Sequence, residues 1–241
     1  MENILFLHGW GGDENSFAPI LPYFRTKYNC ICVSMPREPH PKGTRSDTPS
    51  AAPSGCHPSI LEGSPCVVGR AWTLDDYADL VFAELDKQNI THTHIIAHSF
   101  GARVTALLAT KQPKRFGKLI LTGPAGIKPR PKFWRTVRIR LHKMKIIKSK
   151  GSADYRNLSL SGKITFQNII KRDLSPEIAK LTQPCLIIWG ARDSAIKKHQ
   201  INKWTKLNAH TTLKIYKSSG HFCFLDEPVR FIVDVEEFLN V

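Results

Sequence analysis

The chain has 241 residues, of which 41% are hydrophobic and 23% are charged, a composition typical of a globular protein of one or two domains. It carries 35 Lys and Arg against 20 Asp and Glu, and this net charge of +15 raises the question of a nucleic-acid or anionic partner. No apolar run approaches the ~20 residues that cross a bilayer, and the first residues do not resemble a secretory signal. Six cysteines are too few for a disulfide scaffold, so we expect a cytoplasmic protein.

Short apolar runs alternate with amphipathic stretches along the chain. Most runs are apolar on consecutive residues, as expected for a parallel sheet that is covered on both faces. Between them, Thr73 and Asp76 resemble a capping box at a helix start, a second helix is predicted just after Ser99, and a third over residues 229–239. The pattern predicts an α/β fold with a mostly parallel central sheet of about six strands and helices on both faces. The predicted strands are Ile4–Leu7, Cys30–Val33, His94–Ala97, Leu119–Leu121, Cys185–Trp189 and Thr212–Tyr216.

Two segments interrupt this alternation. Residues 36–71 are rich in Pro, Ser and Gly and are predicted to be a long loop. Residues 127–180 are predicted to be helical and to form a lid inserted into a core made of residues 1–126 and 181–241. This lid segment holds 15 Lys and Arg against 3 Asp and Glu, a net charge of +12, so it carries most of the excess charge. A nucleic-acid-binding fold is therefore not needed to explain the charge.

The residues around Ser99 predict a nucleophilic serine. His98-Ser99-Phe100-Gly101 follows a predicted strand and opens a predicted helix, and Ala97 takes the first small-residue position of the G-x-S-x-G elbow. The small residues let the strand and the helix approach closely, so that the hydroxyl projects from a sharp turn. Ser99 alone is more typical of an ordinary helix N-cap, so the interpretation as a nucleophile depends on partners elsewhere in the chain.

Partners for Ser99 follow in a defined order. Asp193 comes just after the strand that ends at Trp189, and His221 lies in a turn after the last predicted strand. The order Ser, Asp, His is that of the α/β-hydrolase triad. After the first strand, the turn His8-Gly9-Trp10-Gly11-Gly12 can aim a backbone N–H at a developing oxyanion, together with the N–H of Phe100. We interpret His8 and His98 as packing or hydrogen-bonding residues rather than as the base.

With the motifs HGWGG, AHSFG, LIIWGARD and SSGHFCFLDEP in this order, the chain resembles α/β-hydrolase-fold serine hydrolases over nearly its whole length apart from residues 36–71. The resemblance implies Ser99 as the nucleophile, His221 as the base, Asp193 as the acid that orients it, and Trp10 and Phe100 as oxyanion donors through their main-chain N–H groups. The chain departs from the family in one respect, because the strand before the HG turn is its first, whereas family members usually have one or two strands before it. We therefore expect a sheet without these strands and an N-terminal strand at or near an edge of the sheet. The HGWG form is similar to that of small carboxylesterases.

The resemblance implies hydrolysis of small or medium acyl esters through an acyl-enzyme, with no metal and no organic cofactor. The same triad also serves lactonases, thioesterases, carbon–carbon-bond hydrolases and aminopeptidases, and these alternatives stay open. A further alternative is a hydrolase-fold binding protein with little turnover. We expect the substrate to be a small-molecule ester, and the basic lid allows an anionic or carrier-bound ester. We expect no nucleic-acid partner and either a monomer or a homodimer.

Overall fold

A computed structural model describes residues 1–37, 70–129 and 158–240. Its centre is a six-stranded, entirely parallel sheet with the strand order β2-β1-β3-β4-β5-β6. The predicted sheet is confirmed, and the N-terminal strand lies second from one edge, as expected. The strands are β1 Asn3–Leu7, β2 Asn29–Val33, β3 Thr93–His98, β4 Phe116–Thr122, β5 Cys185–Gly190 and β6 Thr211–Tyr216.

Helices connect the strands and cover both faces of the sheet. Two short 3-10 helices, Glu14–Phe17 and Pro113–Arg115, accompany them. In the described part of the chain the α-helices are α1 Leu21–Arg25, α2 Leu74–Lys87, α3 Phe100–Lys111, α4 Leu160–Lys171, α5 Ser175–Ile178, α6 Lys198–Leu207, α7 Cys223–Asp226 and α8 Pro228–Asn240.

Consecutive residues within the strands are apolar because each face of the sheet packs against its own hydrophobic core. In β1, Leu5 and Leu7 pack into one cluster with α2, α3 and α6, whereas Ile4 and Phe6 pack into the other with α1 and α8. Successive side chains of a strand point to opposite faces, so both parities must be apolar when both faces are covered. The runs of consecutive apolar residues therefore indicate that helices cover both faces of the sheet.

Local sequence signals explain where the longer helices begin. The Thr73 side chain accepts the N–H of Asp76, and the Asp76 carboxylate accepts the N–H of Thr73 at 2.7 Å, so the predicted capping box of α2 is confirmed. The helices predicted after Ser99 and near residues 229–239 are α3 and α8. Helix α6 was not among the predicted elements. Among its ten residues only Ile201, Trp204 and the partly buried Leu207 are apolar, too few to make a helical stripe visible in the sequence.

The two interrupting segments are only partly described. Residues 38–69 of the predicted long loop and residues 130–157 of the predicted lid lie outside the described residues. The described remainder of the lid segment contains α4 and α5, between β4 and β5 along the chain. Within the described ranges, we find no helix with the length and apolar character that crossing a membrane requires.

Candidate active site

Ser99 lies in the sharp turn between β3 and α3. Its φ is +49° and its ψ is −101°, a conformation that costs a non-glycine residue on the order of 1–3 kcal/mol. Hydrogen bonds hold this turn from both sides. The Ser99 N–H donates to the Thr122 carbonyl at 3.0 Å, and the Ser99 carbonyl accepts the N–H groups of Ala102 and Ala125, each at 3.2 Å. A strained serine held between a strand and a helix has the backbone expected of a nucleophile elbow.

Small residues allow the elbow to form. A Cβ added at Gly101 would stand 2.2 Å from the Leu7 carbonyl oxygen, so only glycine lets α3 lie against the end of β1. Ala97, two residues before Ser99, is fully buried and lies in register between Leu7 of β1 and Leu121 of β4. The predicted close packing of strand and helix is therefore present, with alanine serving at the first small position.

Asp193 and His221 are in direct contact, although they lie 28 residues apart in the sequence. His221 Nδ1 lies 2.7 Å from Asp193 Oδ2, so the neutral imidazole donates Nδ1–H to the carboxylate and keeps the lone pair of Nε2. Asp193 Oδ1 accepts the N–H groups of Ala195 at 2.7 Å and Ile196 at 2.8 Å. Burial opposes ionisation of Asp193, but the bonds from His221 and the two backbone groups outweigh it and hold the pKa of Asp193 below its usual value.

His221, the predicted base, lies against the strand ends that carry the Ser99 turn. The ring of His221 is 4.6 Å, centroid to centroid, from the ring of His98, the residue before Ser99. A Cβ at Gly123, after β4, would stand 3.0 Å from His221 Nδ1, and Gly123 has a φ of +50°. His221 therefore needs both a flat neighbour at position 98 and a missing side chain at position 123.

His98 is a neutral structural residue, in agreement with the sequence interpretation. Its Nδ1–H donates to the Thr122 carbonyl at 3.1 Å, and its ring also packs on Phe222 at 4.7 Å. Burial, followed by the neighbouring His221, lowers the pKa of His98 to about 3. His98 thus stays uncharged at neutral pH and does not compete with His221 for a proton.

The HGWGG turn after β1 approaches the elbow closely. His8 Nδ1–H donates to the Gly9 carbonyl at 2.8 Å, and His8 Nε2 accepts the N–H of Met35 at 2.9 Å, so both ring nitrogens are used by the backbone. Burial lowers the pKa of His8, in accord with this neutral role. A Cβ at Gly9 would stand 2.9 Å from the His98 ring, which explains the glycine. The Arg37 guanidinium donates to the Gly11 carbonyl at 2.6 Å on the outer side of the turn.

Aromatic side chains join this turn to α4. The Trp10 ring packs on Phe100 at 5.4 Å and on Phe166 of α4 at 5.3 Å. Helix α4 is tied down at its C-terminal end by Arg103 of α3, whose guanidinium donates to the carbonyls of Ile169 at 2.9 Å and Arg172 at 3.0 Å. Burial lowers the pKa of Arg103 only to about 10, so the guanidinium remains charged at neutral pH. Helix α4 therefore lies over the residue predicted to donate to the oxyanion.

The sequence did not identify two of these contacts. Phe166 lies in a segment predicted only as helical, and nothing in a single sequence indicates which turn its ring covers. Arg103 is a charged residue inside an otherwise apolar helix, and this is the one local sign that it has a buried partner. Its partners are main-chain carbonyls 66 and 69 residues away, which no motif specifies.

The fold and this arrangement at the strand ends define the class of protein. Residues 2–145 match the α/β-hydrolase-fold family, and the chain belongs to that family. The strigolactone esterase of pea (Pisum sativum) is 27% identical over 120 residues, which are 50% of this chain and 38% of the pea protein. The chain thus matches less than half of the length of that curated relative.

Solved structures share the fold over the whole chain. The enol-lactonase of Burkholderia xenovorans superposes with a TM-score of 0.70 at 18% identity, covering 100% of this chain and 92% of that protein. A meta-cleavage product hydrolase of Pseudomonas fluorescens has a TM-score of 0.69 at 17% identity, covering 100% and 91%. At such low identity these likenesses establish the fold alone.

Proposed function

We propose that the protein is a serine hydrolase that cleaves carboxylic esters of small or medium acyl chains through an acyl-enzyme. One observation carries this proposal. The 2.7 Å hydrogen bond between His221 and the buried Asp193 leaves His221 Nε2 as a base, beside a strand end whose next residue is the strained Ser99. A histidine oriented by a carboxylate next to a serine on an elbow is the arrangement that nucleophilic acyl transfer requires.

In the proposed mechanism, His221 Nε2 takes the hydroxyl proton as Ser99 Oγ attacks the ester carbonyl. Asp193 holds the imidazole in the required tautomer and stabilises the imidazolium that forms. The imidazolium then protonates the leaving alcohol, and an acyl group remains on Ser99. Water, deprotonated by the same nitrogen, releases the acid and restores the serine.

The main-chain N–H groups of Trp10 and Phe100 are the proposed oxyanion donors. Phe100 is the first residue of α3, and the first N–H groups of a helix have no intrahelical acceptor. Trp10 lies in a turn closed by the Gly12 N–H, which donates to the Gly9 carbonyl at 3.0 Å. Loss of one oxyanion donor typically lowers kcat by ~10²–10³. Neither donor is a side chain, so substitutions that displace the backbone, rather than simple truncations, test this part of the proposal.

Residues 127–180 are proposed to form a lid over this site, with 1–126 and 181–241 as the core. The packing of Phe166 on Trp10 supports a covering position for α4. Because the lid segment has a net charge of +12, we propose that it attracts anionic substrates. We expect kcat/KM for a carboxylate-bearing ester to fall by at least about threefold from low to high ionic strength, relative to a neutral ester of the same size. Equal salt dependence of the two esters would contradict this role.

The main experiment is a fluorophosphonate labelling and turnover assay. We expect the probe to modify Ser99 in the folded wild type and the protein to hydrolyse p-nitrophenyl esters of graded chain length. Ser99→Ala is the matched control and should lose both the label and turnover. Folded wild type without label, or a Ser99→Ala variant as active as the wild type, would overturn the proposal.

The bond that is cleaved is the next question for the same assay. An enol-lactonase and a meta-cleavage product hydrolase share the fold, so lactones and carbon–carbon substrates belong in the panel with thioesters and aminoacyl amides. Labelling of Ser99 together with negligible turnover on every substrate would favour a binding protein. The proposed cytoplasmic location and the monomeric or homodimeric state are checked by cell fractionation and light scattering.

A further inference from the structure

The turn that carries His221 lies between β6 and α7 and has no strand or helix of its own. Two neighbouring carboxylates reach back to it from the following segment. Asp226, the last residue of α7, accepts the Gly220 N–H at 2.7 Å, and Glu227 accepts the Ser219 hydroxyl at 2.6 Å. Gly220, the residue immediately before His221, is thus hydrogen-bonded to a side chain six residues later in the chain.

The opposite side of the same turn is packed against the Asp193 segment. The Arg192 N–H donates to the Ser219 carbonyl at 3.1 Å. A Cβ at Gly190 would stand 2.0 Å from the Gly220 carbonyl oxygen, so the two backbones are in close contact there. Any displacement of Gly220 therefore changes the separation of His221 from Asp193.

Helix stability does not explain the carboxylate at position 226. Helix α7, Cys223–Asp226, is a single turn of four residues, too short for a helix dipole to favour a carboxylate at Asp226. Glu227 differs, because it precedes α8, where negative charge is favourable, and it also pairs with Arg230 at 3.0 Å. The bond to the Gly220 N–H is the contact that accounts for Asp226.

We propose that Asp226 is a positioning residue for the base: by holding the Gly220 N–H, it keeps His221 in contact with Asp193. This inference rests on the proposed function, since it assigns His221 the role of base. A carboxylate suits the task because it only accepts hydrogen bonds, so it cannot donate to the neighbouring carbonyls instead. Asparagine retains one acceptor oxygen, whereas alanine retains none.

The test compares Asp226→Ala with Asp226→Asn, and uses Asp79→Ala as the control for removal of an exposed carboxylate from a helix remote from the turn. The kcat is normalised to the number of Ser99 sites that react with fluorophosphonate. We expect Asp226→Ala to lower kcat on the order of tenfold with KM within about twofold, and Asp226→Asn and Asp79→Ala to stay within about threefold of wild type. A purely structural role would lower Tm and the number of active sites but leave the normalised kcat unchanged.

A second readout does not depend on turnover. The Nδ1–H proton of His221 bonded to Asp193 is expected to give a downfield NMR resonance, which is assigned by its loss in His221→Gln. We expect Asp226→Ala to broaden or shift this resonance and Asp226→Asn to retain it. An unchanged resonance and normalised kcat in Asp226→Ala, or equal losses in the Ala and Asn variants, would overturn the positioning role. Absence of esterase activity in wild type with a resonance sensitive to Asp226 would instead refute the proposed function alone.

Discussion

Replacement of Asp193 by asparagine is the most informative single change, because it alters the tautomer of the base at nearly constant volume. Asp193 accepts three N–H donors, from His221, Ala195 and Ile196. Asparagine has only one acceptor oxygen and two amide donors. If that oxygen keeps the two backbone N–H groups, the amide nitrogen faces His221 Nδ1 and donates to it. The proton of the neutral imidazole then moves to Nε2, the atom that should receive the proton of Ser99.

The expected loss in kcat is about 10⁴-fold, the size of effect seen when a triad carboxylate is replaced by its amide, and corresponds to about 5.4 kcal/mol in the activation barrier. Folding should change less, because the two backbone bonds survive and the charge-assisted bond that is lost contributes only about 1.5–3 kcal/mol net. A large loss of rate with a small loss of stability is therefore the signature of the predicted tautomer change.

The assay is p-nitrophenyl acetate hydrolysis, with urea unfolding of the same preparations. Asp234→Asn is the matched control, since this carboxylate of α8 accepts from Tyr216 and Lys214 of β6. We expect the control to keep kcat near that of wild type. A loss of less than tenfold in Asp193→Asn would show that Asp193 does not set the tautomer of His221 and would refute this reasoning.

Three further predictions concern packing, the lid helix and acid stability. Gly101→Ala should destabilise the protein by about 1–3 kcal/mol or more in urea unfolding, because its Cβ would lie 2.2 Å from the Leu7 carbonyl oxygen. Gly220→Ala is the comparison and should cost less than about 0.5 kcal/mol, because its Cβ would lie 3.6 Å from the nearest atom, Asp226 Oδ2. Arg103→Met should leave the carbonyls of Ile169 and Arg172 without their side-chain donor and lower the unfolding free energy by about 1–3 kcal/mol. It should also make proteolytic cleavage within α4 faster, and cleavage at the wild-type rate would contradict this prediction. The folded pKa of His98, about 3, lies below the unfolded value of about 6.5, so the unfolded state binds an extra proton between these limits. His98 should therefore lower the unfolding free energy by up to about 1.4 kcal/mol per pH unit as the pH drops below about 6.5. His98→Phe, which keeps a ring beside His221, should remove this contribution and make the pH dependence measured by urea unfolding shallower, whereas an unchanged slope would contradict it.

The strands were predictable because a sheet covered on both faces demands apolar side chains of both parities. All six predicted runs lie within observed strands, and the observed bounds extend each run by one to four residues. Helix α6 was not predictable in the same way, since Ile201, Trp204 and the partly buried Leu207 are the only apolar residues among its ten. Short helices such as α1 and α7 depend on tertiary packing rather than on a local stripe.

The candidate site also has a part that the sequence predicts and a part that only the fold defines. Ser99, Asp193 and His221 were proposed from motifs, because each needs a particular residue type at a strand end. Apart from the bonds of Asp193 to the nearby N–H groups of Ala195 and Ile196, their supporting contacts come from distant parts of the chain and carry no local signal. The His98 ring that faces the base and the Arg103 guanidinium that holds α4 are each defined by neighbours more than twenty residues away. Sequence motifs thus indicate the proposed reacting groups, whereas the fold determines how they are held.

The register of the parallel sheet sets the relative height of these groups. Leu7 of β1 and Ala97 of β3 are paired directly, so Gly9 and Ser99, each two residues further on, emerge at the same level. The β4 residue paired with Ala97 is likewise two residues before Gly123, which adjoins His221. A one-residue slip of β3 would move Ser99 by about 3.3 Å and turn its side chain to the other face. The HGWGG turn, the Ser99 elbow and His221 therefore lie close together because three neighbouring strands end at the same level. The glycines at positions 9 and 123 leave room for the rings of His98 and His221.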